Sequence, residues 1–263
     1  MFGALFALSQ MMRTTLQLLL LLVATSLNAQ ISEDGWDSAF AKAEQAYQSK
    51  DWNKARELYK PLLQSSSTDT LLIHRMGNIA GYQSDFELAA SYFKLLVNDY
   101  PNNADYHYKY GAALGLRAKQ VSKLTALGLL DDVKKHLKLA ATLNKEHIET
   151  RHALSQMYCE LPAIVGGSYA VATRYARELL AISPIDGYLA MGFVTEYQEN
   201  YQDADSWYQK AIAVGNSPTS YHKLIKLYAY KMDRLVEARQ LVMEAIKNNP
   251  TDSSLAELKK QLF

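Results

Sequence analysis

Apolar and small residues return along this chain with a period of 34. From Gly77 the pattern runs through Phe86, Ala89, Phe93, Leu96 and Pro101. One period earlier the same places hold Ala43, Trp52, Ala55, Tyr59, Leu62 and Ser67. Gly192, Tyr201, Ala204, Tyr208, Ala211 and Asn216 keep identical spacing, as do Lys226, Leu235, Ala238, Val242, Ala245 and Pro250. Steps of three and four residues within each set put the apolar positions on one stripe of an α-helix. The pattern therefore predicts two helices per period. Polar turns fall between the paired helices at 48–51, 83–85 and 198–200. Pro101, Pro184 and Pro250 close the second helices, because proline cannot continue them.

Two further units fit if each carries an insertion. Gly111 opens one whose second half is Leu130, Val133, Leu137 and Ala140, with ten extra residues within 117–130. Ser155 opens another whose second half is Tyr169, Ala172, Ala176, Leu179 and Pro184, with five extra within 160–168. The first insertion has no proline and continues the helical pattern, so it predicts two lengthened helices with a break near Gly128. Asp131 and Asp132 read as part of a polar turn. In the second, Pro162 ends one helix and Ser168 caps the next. Leu161, Ile164 and Val165 are expected to tuck back onto the helices. Gly166 and Gly167 could offer backbone N–H groups to an anion, but the lysine and spacing of a phosphate-binding loop are missing. The last stretch, 253–263, reads as a capped amphipathic helix covering the final apolar face.

The N-terminus differs. Residues 1–29 hold one base, Arg13, and no acid, followed by an apolar run from Leu18 to Ala24 and then mostly small or polar residues. This is the order of a secretory signal peptide, with cleavage expected after Ala29 and an uncleaved anchor as the competing reading. The run is shorter than the roughly 20 residues of a membrane span, so no transmembrane span is expected in the mature chain. A bacterial periplasmic or secreted protein is the expected setting.

Composition narrows the classes. The 263 residues carry 28 bases and 27 acids, so charge gives no reason to expect a nucleic-acid partner. Twelve glycines and six prolines are too few for a turn-rich all-β fold. A single cysteine, Cys159, excludes an intrachain disulfide and a multi-cysteine zinc site. The six histidines are scattered, without a His-Glu-x-x-His pair, and neither a Gly-x-Ser-x-Gly elbow nor a dinucleotide fingerprint occurs. No enzyme, metal site or cofactor is expected.

The 34-residue spacing resembles the tetratricopeptide repeat, over about residues 36–252. The resemblance implies an all-α, right-handed α-solenoid of about six helix-turn-helix units, at 36–69, 70–103, 104–147, 148–184, 185–218 and 219–252, closed by the capping helix. It also implies that first helices line a concave face where protein segments bind. Residues projecting away from the packing stripe then include His74, Asn78, Tyr82, Tyr108, His152, Gln156, Phe193 and Tyr197. Phe40 and Glu44 stand where a carboxylate clamp would want a base and an amide, although Asn78, Arg75 and Lys109 are available to one. The expected function is a scaffold or assembly factor of the cell envelope that binds a protein or peptide segment. The alternative is a glycan-binding module using the groove tyrosines, since 18 tyrosines are an unusually large share.

Overall fold

The computed structural model describes residues 33–263. The expected signal peptide lies outside the described residues. Those residues form thirteen α-helices and one short 3₁₀ helix, with no strand among them. They fall into two compact units, divided between Gln83 and Ser84.

The first unit holds α1 (Glu33–Gln48), α2 (Trp52–Ser65) and α3 (Thr70–Tyr82). The second holds α4 (Phe86–Asp99), α5 (Ala104–Gln120), α6 (Lys123–Leu143), α7 (Ile148–Glu160), α8 (Tyr169–Ile182), α9 (Pro184–Tyr197), α10 (Tyr201–Gly215), α11 (Pro218–Tyr230), α12 (Leu235–Asn248) and α13 (Ser253–Leu262). Starts are set by side-chain caps. Asp51 accepts from the Lys54 N–H at 3.1 Å, Asp69 from Leu72 at 2.9 Å and Asn103 from Tyr106 at 3.1 Å. Lys50 and Ser84, one period apart, both take positive φ near 61°, and Glu199 and Asp233 repeat this at 60° and 54°. A left-handed residue there turns the chain sharply enough to start the next helix.

The small positions of the repeat let helices approach. A Cβ on Gly111 would lie 3.0 Å from the Leu137 side chain, and one on Gly192 would lie 2.3 Å from the Tyr208 ring. Tyr59 and Tyr208, at the large positions, are completely buried. In the second unit Tyr208, Tyr221, Ile225 and Val242 build a core that Leu255, Leu258 and Leu262 of α13 complete.

Both insertions take shapes that the sequence only partly predicts. α5 and α6, at 17 and 21 residues, exceed the 13 and 14 of α3 and α4. The break, however, is at Val121–Ser122 and not at Gly128. The Ser122 hydroxyl accepts from the Thr125 N–H and so caps α6, whereas Gly128 sits inside α6 with open space around it. Asp131 and Asp132 are residues within α6, not a turn. In the second insertion Ser168 does cap α8, accepting from Val171. Leu161 and Val165 are half-buried, but Ile164 points outward and is 93% exposed. The 3₁₀ turn Ala163–Val165 aims it away from the helices.

Candidate functional site

The second unit contains a cleft of about 1120 Å³ bounded by α5, α6 from Lys123 to Leu137, α7, the 161–165 loop and Asp186 of α9. Its origin is local. α5 packs closely along α6, while α7 touches both only sparingly. Gly111, Ala112, Gly115 and Ala118 make a low wall on α5, and Ala153 does the same on α7. Leu116, Leu127, Leu130, Met157, Leu161 and Val165 surround them. The last turn of α5 lies level with the end of α7, where Lys119 meets Glu160. The middle of the cleft is thus apolar, and its polar residues gather towards the two ends.

Tyr108, Glu149, His152 and Asp186 mark one end. The Tyr108 ring lies 5.1 Å from the His147 ring, and burial raises the phenol's pKa. Burial, reinforced by the Lys223 charge, lowers the pKa of His152, with Asp186 opposing. At physiological pH His152 therefore offers a neutral imidazole. Lys119, Lys123 and Glu160 mark the other end. Lys119 and Glu160 pair at 2.6 Å, joining α5 to α7 across the cleft. The Lys134 ammonium donates to the Val165 carbonyl at 2.7 Å, pinning the loop to α6. Gln156 contributes an amide between the two ends.

Of the eight groove residues expected from sequence, Tyr108, His152 and Gln156 line this cleft. Phe193 and Tyr197 sit outside it on α9, with ring centres 4.7 Å apart. Lys223 lies over the Phe193 ring at 5.2 Å, and the Tyr169 hydroxyl donates to the Tyr197 carbonyl at 3.1 Å. His74, Asn78 and Tyr82 belong to α3 in the first unit. Tyr82 is exposed and stacks on Trp52 at 4.2 Å with 17° between the planes. The Asn78 amide donates to the Tyr47 hydroxyl at 3.0 Å. Arg75 makes two bonds to Glu44, at 2.7 and 3.1 Å, and that carboxylate also accepts from Tyr59. The arginine of a would-be carboxylate clamp is therefore already held by an internal acid. Sequence reasoning missed the apolar walls Leu116 and Leu127. Their signal lay in the first insertion, where Leu124, Leu127 and Leu130 keep helical spacing.

Burial pushes the Cys159 thiol up to about 12, so it stays protonated and unreactive. The Gly166 and Gly167 N–H groups donate to Ala163 and Pro162 carbonyls and are not open to an anion. Gly167 is required for another reason: a Cβ there would fall 1.7 Å from the Leu161 carbonyl oxygen. Among the described residues no cluster of three or more His, Cys, Asp or Glu side chains could hold a metal ion. No described helix is long and apolar enough to cross a membrane.

Known structures with this arrangement identify the fold. A tetratricopeptide repeat protein from Parabacteroides merdae ATCC 43184 superposes with a TM-score of 0.59 at 14% identity, over 86% of this chain and 88% of that one. The fold is that of the tetratricopeptide repeat. PilW, a widely conserved type IV pilus biogenesis factor, matches with a TM-score of 0.59 at 15% identity, over 85% of this chain and 97% of its own. A thermophilic tetratricopeptide protein of Thermus thermophilus gives 0.52 at 17%, over 86% and 98%. No family model and no curated protein matches the sequence. At these identities the likeness establishes the fold alone.

Proposed function

We propose that this protein is a non-enzymatic interaction scaffold of the bacterial cell envelope, one that holds a segment of a partner protein in the α5–α6–α7 cleft. The observation that carries this reading is the cleft itself. It is large, apolar in the middle and polar at its ends, which is the usual make-up of a binding site. Three groove positions chosen from the repeat, Tyr108, His152 and Gln156, line it. Export is supported by the order of residues 1–29. One protein of this fold is named as a pilus biogenesis factor, which fits an assembly role.

Two measurements test the reading. Mass spectrometry of the protein recovered from the envelope fraction of its native cells should show a mature chain beginning after Ala29; an intact residue 1–29 segment would contradict cleavage and favour the uncleaved anchor, and absence from that fraction would contradict export. Ala112 is a half-buried residue of the cleft wall. Ala112→Trp should fill the cleft and abolish co-purification of the partner while leaving thermal unfolding within a few degrees. Undiminished co-purification would place binding elsewhere.

A second reading, glycan binding, draws on the first unit, where Tyr82 stacks on Trp52. An exposed aromatic surface of this kind suits the apolar face of a sugar. If it holds, Tyr82→Ala should abolish retention on a glycan array; no retention by the unaltered protein would exclude it.

A further inference from the structure

The cleft's dimensions and charges specify what it accepts, granting that a partner segment enters it. From Tyr108 to Lys119 its α5 wall advances about 16 Å, at 1.5 Å per residue. Glu149 and Glu160 mark the same span on α7. That length corresponds to about three turns of α-helix at 5.4 Å per turn, and a cleft of about 1120 Å³ is far larger than a single alkyl chain needs.

Hydrogen bonding points the same way. Along the middle of the cleft Gly111, Ala112, Gly115, Leu127, Leu130 and Ala153 offer no polar side chain, and the single Gln156 amide cannot match the several backbone groups of an extended segment. An extended peptide would leave backbone N–H and C=O groups unmatched there, which is costly. A helix satisfies its own backbone. Leu116 and Leu127 of the cleft wall are exposed by 42 and 49%, and the neighbouring Leu124, outside it, by 81%.

The ends carry opposite charge. Glu149 and Asp186 stand at one, where the nearby Lys223 offsets only part of their charge. At the other, Lys119 is neutralised by Glu160, so Lys123 supplies the net positive charge. Lys123 is also the first residue of α6, where the positive end of the helix dipole adds to it.

We infer that the cleft receives an amphipathic α-helix of about three turns from a partner protein, with basic residues in its first turn and acidic residues in its last. Its N-terminus lies against Glu149 and Asp186 and its C-terminus against Lys123. The helix therefore runs parallel to α5 and α7. The positive dipole end of the partner helix facing Glu149 and Asp186, and its negative end facing Lys123, select this direction, and the apolar middle supplies the affinity.

The test uses the full chain against a displayed library of random sixteen-residue peptides, keeping only binders lost in Ala112→Trp. Leu127→Asp, at a half-exposed cleft position, serves as a second blocking variant should the tryptophan disturb folding. The expected enrichment is a stripe of apolar residues at three- and four-residue spacing, Lys or Arg at its start and Asp or Glu at its end. A synthetic peptide of that kind should bind at least tenfold more tightly than its twin with the end charges exchanged. The double variant Lys123→Glu, Glu149→Lys should reverse that preference. Blocked-cleft-sensitive binders that contain proline, or that show no charge order, overturn the helix and leave segment binding intact. Absence of any such binder overturns both, and binding of a fluorescent fatty acid that is lost in Ala112→Trp would then assign the cleft to an acyl chain.

Discussion

Single positions carry the repeat, and they separate glycines that are required from those that are not. A Cβ on Gly192 would enter the Tyr208 ring. Gly192→Ala should therefore cost about 1–3 kcal/mol through overpacking. Gly128, inside α6 with open space around it, should gain about 0.5–1 kcal/mol as alanine. Urea denaturation of both variants checks the pair; equal effects would contradict it. Gly192 was legible in the sequence because the period marks it. Gly128 was misread as a break, because a lone glycine on an exposed helix face looks like punctuation. The histidines give a second prediction at this scale. His107 and His136 meet through their Nδ1 atoms at 2.7 Å, buried between α5 and α6, and His107 Nε2 lies 2.8 Å from the Pro101 carbonyl. Burial, then the neighbouring His107, lowers the His136 pKa from 6.5, and burial also lowers those of His152 and His222. Below 6.5 the unfolded chain takes up protons that the folded chain refuses. Stability should be complete above that pH and decline as acid is added towards the lowered folded values. His136→Gln should flatten the decline measured by thermal unfolding from pH 7.5 to 5; an unchanged slope would contradict the assignment.

At the scale of elements, the sequence specified helix pairs well and their junctions less well. Apolar spacing and capping residues such as Asp51, Asp69 and Asn103 act locally, so they can be read one helix at a time. The α5–α6 junction depends instead on which of two weak breakers prevails. Ser122 does, because its hydroxyl caps α6. Ile164 was misjudged for a similar reason: its direction follows from the 3₁₀ turn and from Gly166 at φ 92°, not from its hydrophobicity. The terminal helix α13 gives the prediction here. Leu255 and Leu258 are essentially buried in the second unit's core. Leu258→Ala should cost about 2–4 kcal/mol. Ser168→Ala, which removes only a cap, should cost about 1 kcal/mol. Chemical denaturation orders the two; a larger loss at Ser168 would contradict the role assigned to α13.

For the whole molecule, the sequence indicated a groove but not its boundaries. Tyr108, His152 and Gln156 were reached because first helices share one outward face. Depth was not readable, since it arises where α7 draws away from a lengthened α5–α6 pair, a relation between successive repeats. Phe193 and Tyr197 share the periodicity yet lie outside the cleft for the same reason. The central claim is that this cleft holds a partner segment. The most direct measurement places a photo-crosslinking amino acid at Gln156 in the full chain, expressed in its native cells, and maps the adduct by mass spectrometry. The account predicts crosslinks to one short stretch of one protein, absent when Ala112→Trp is combined with the probe. Adducts scattered over many proteins, or unchanged by Ala112→Trp, would contradict it.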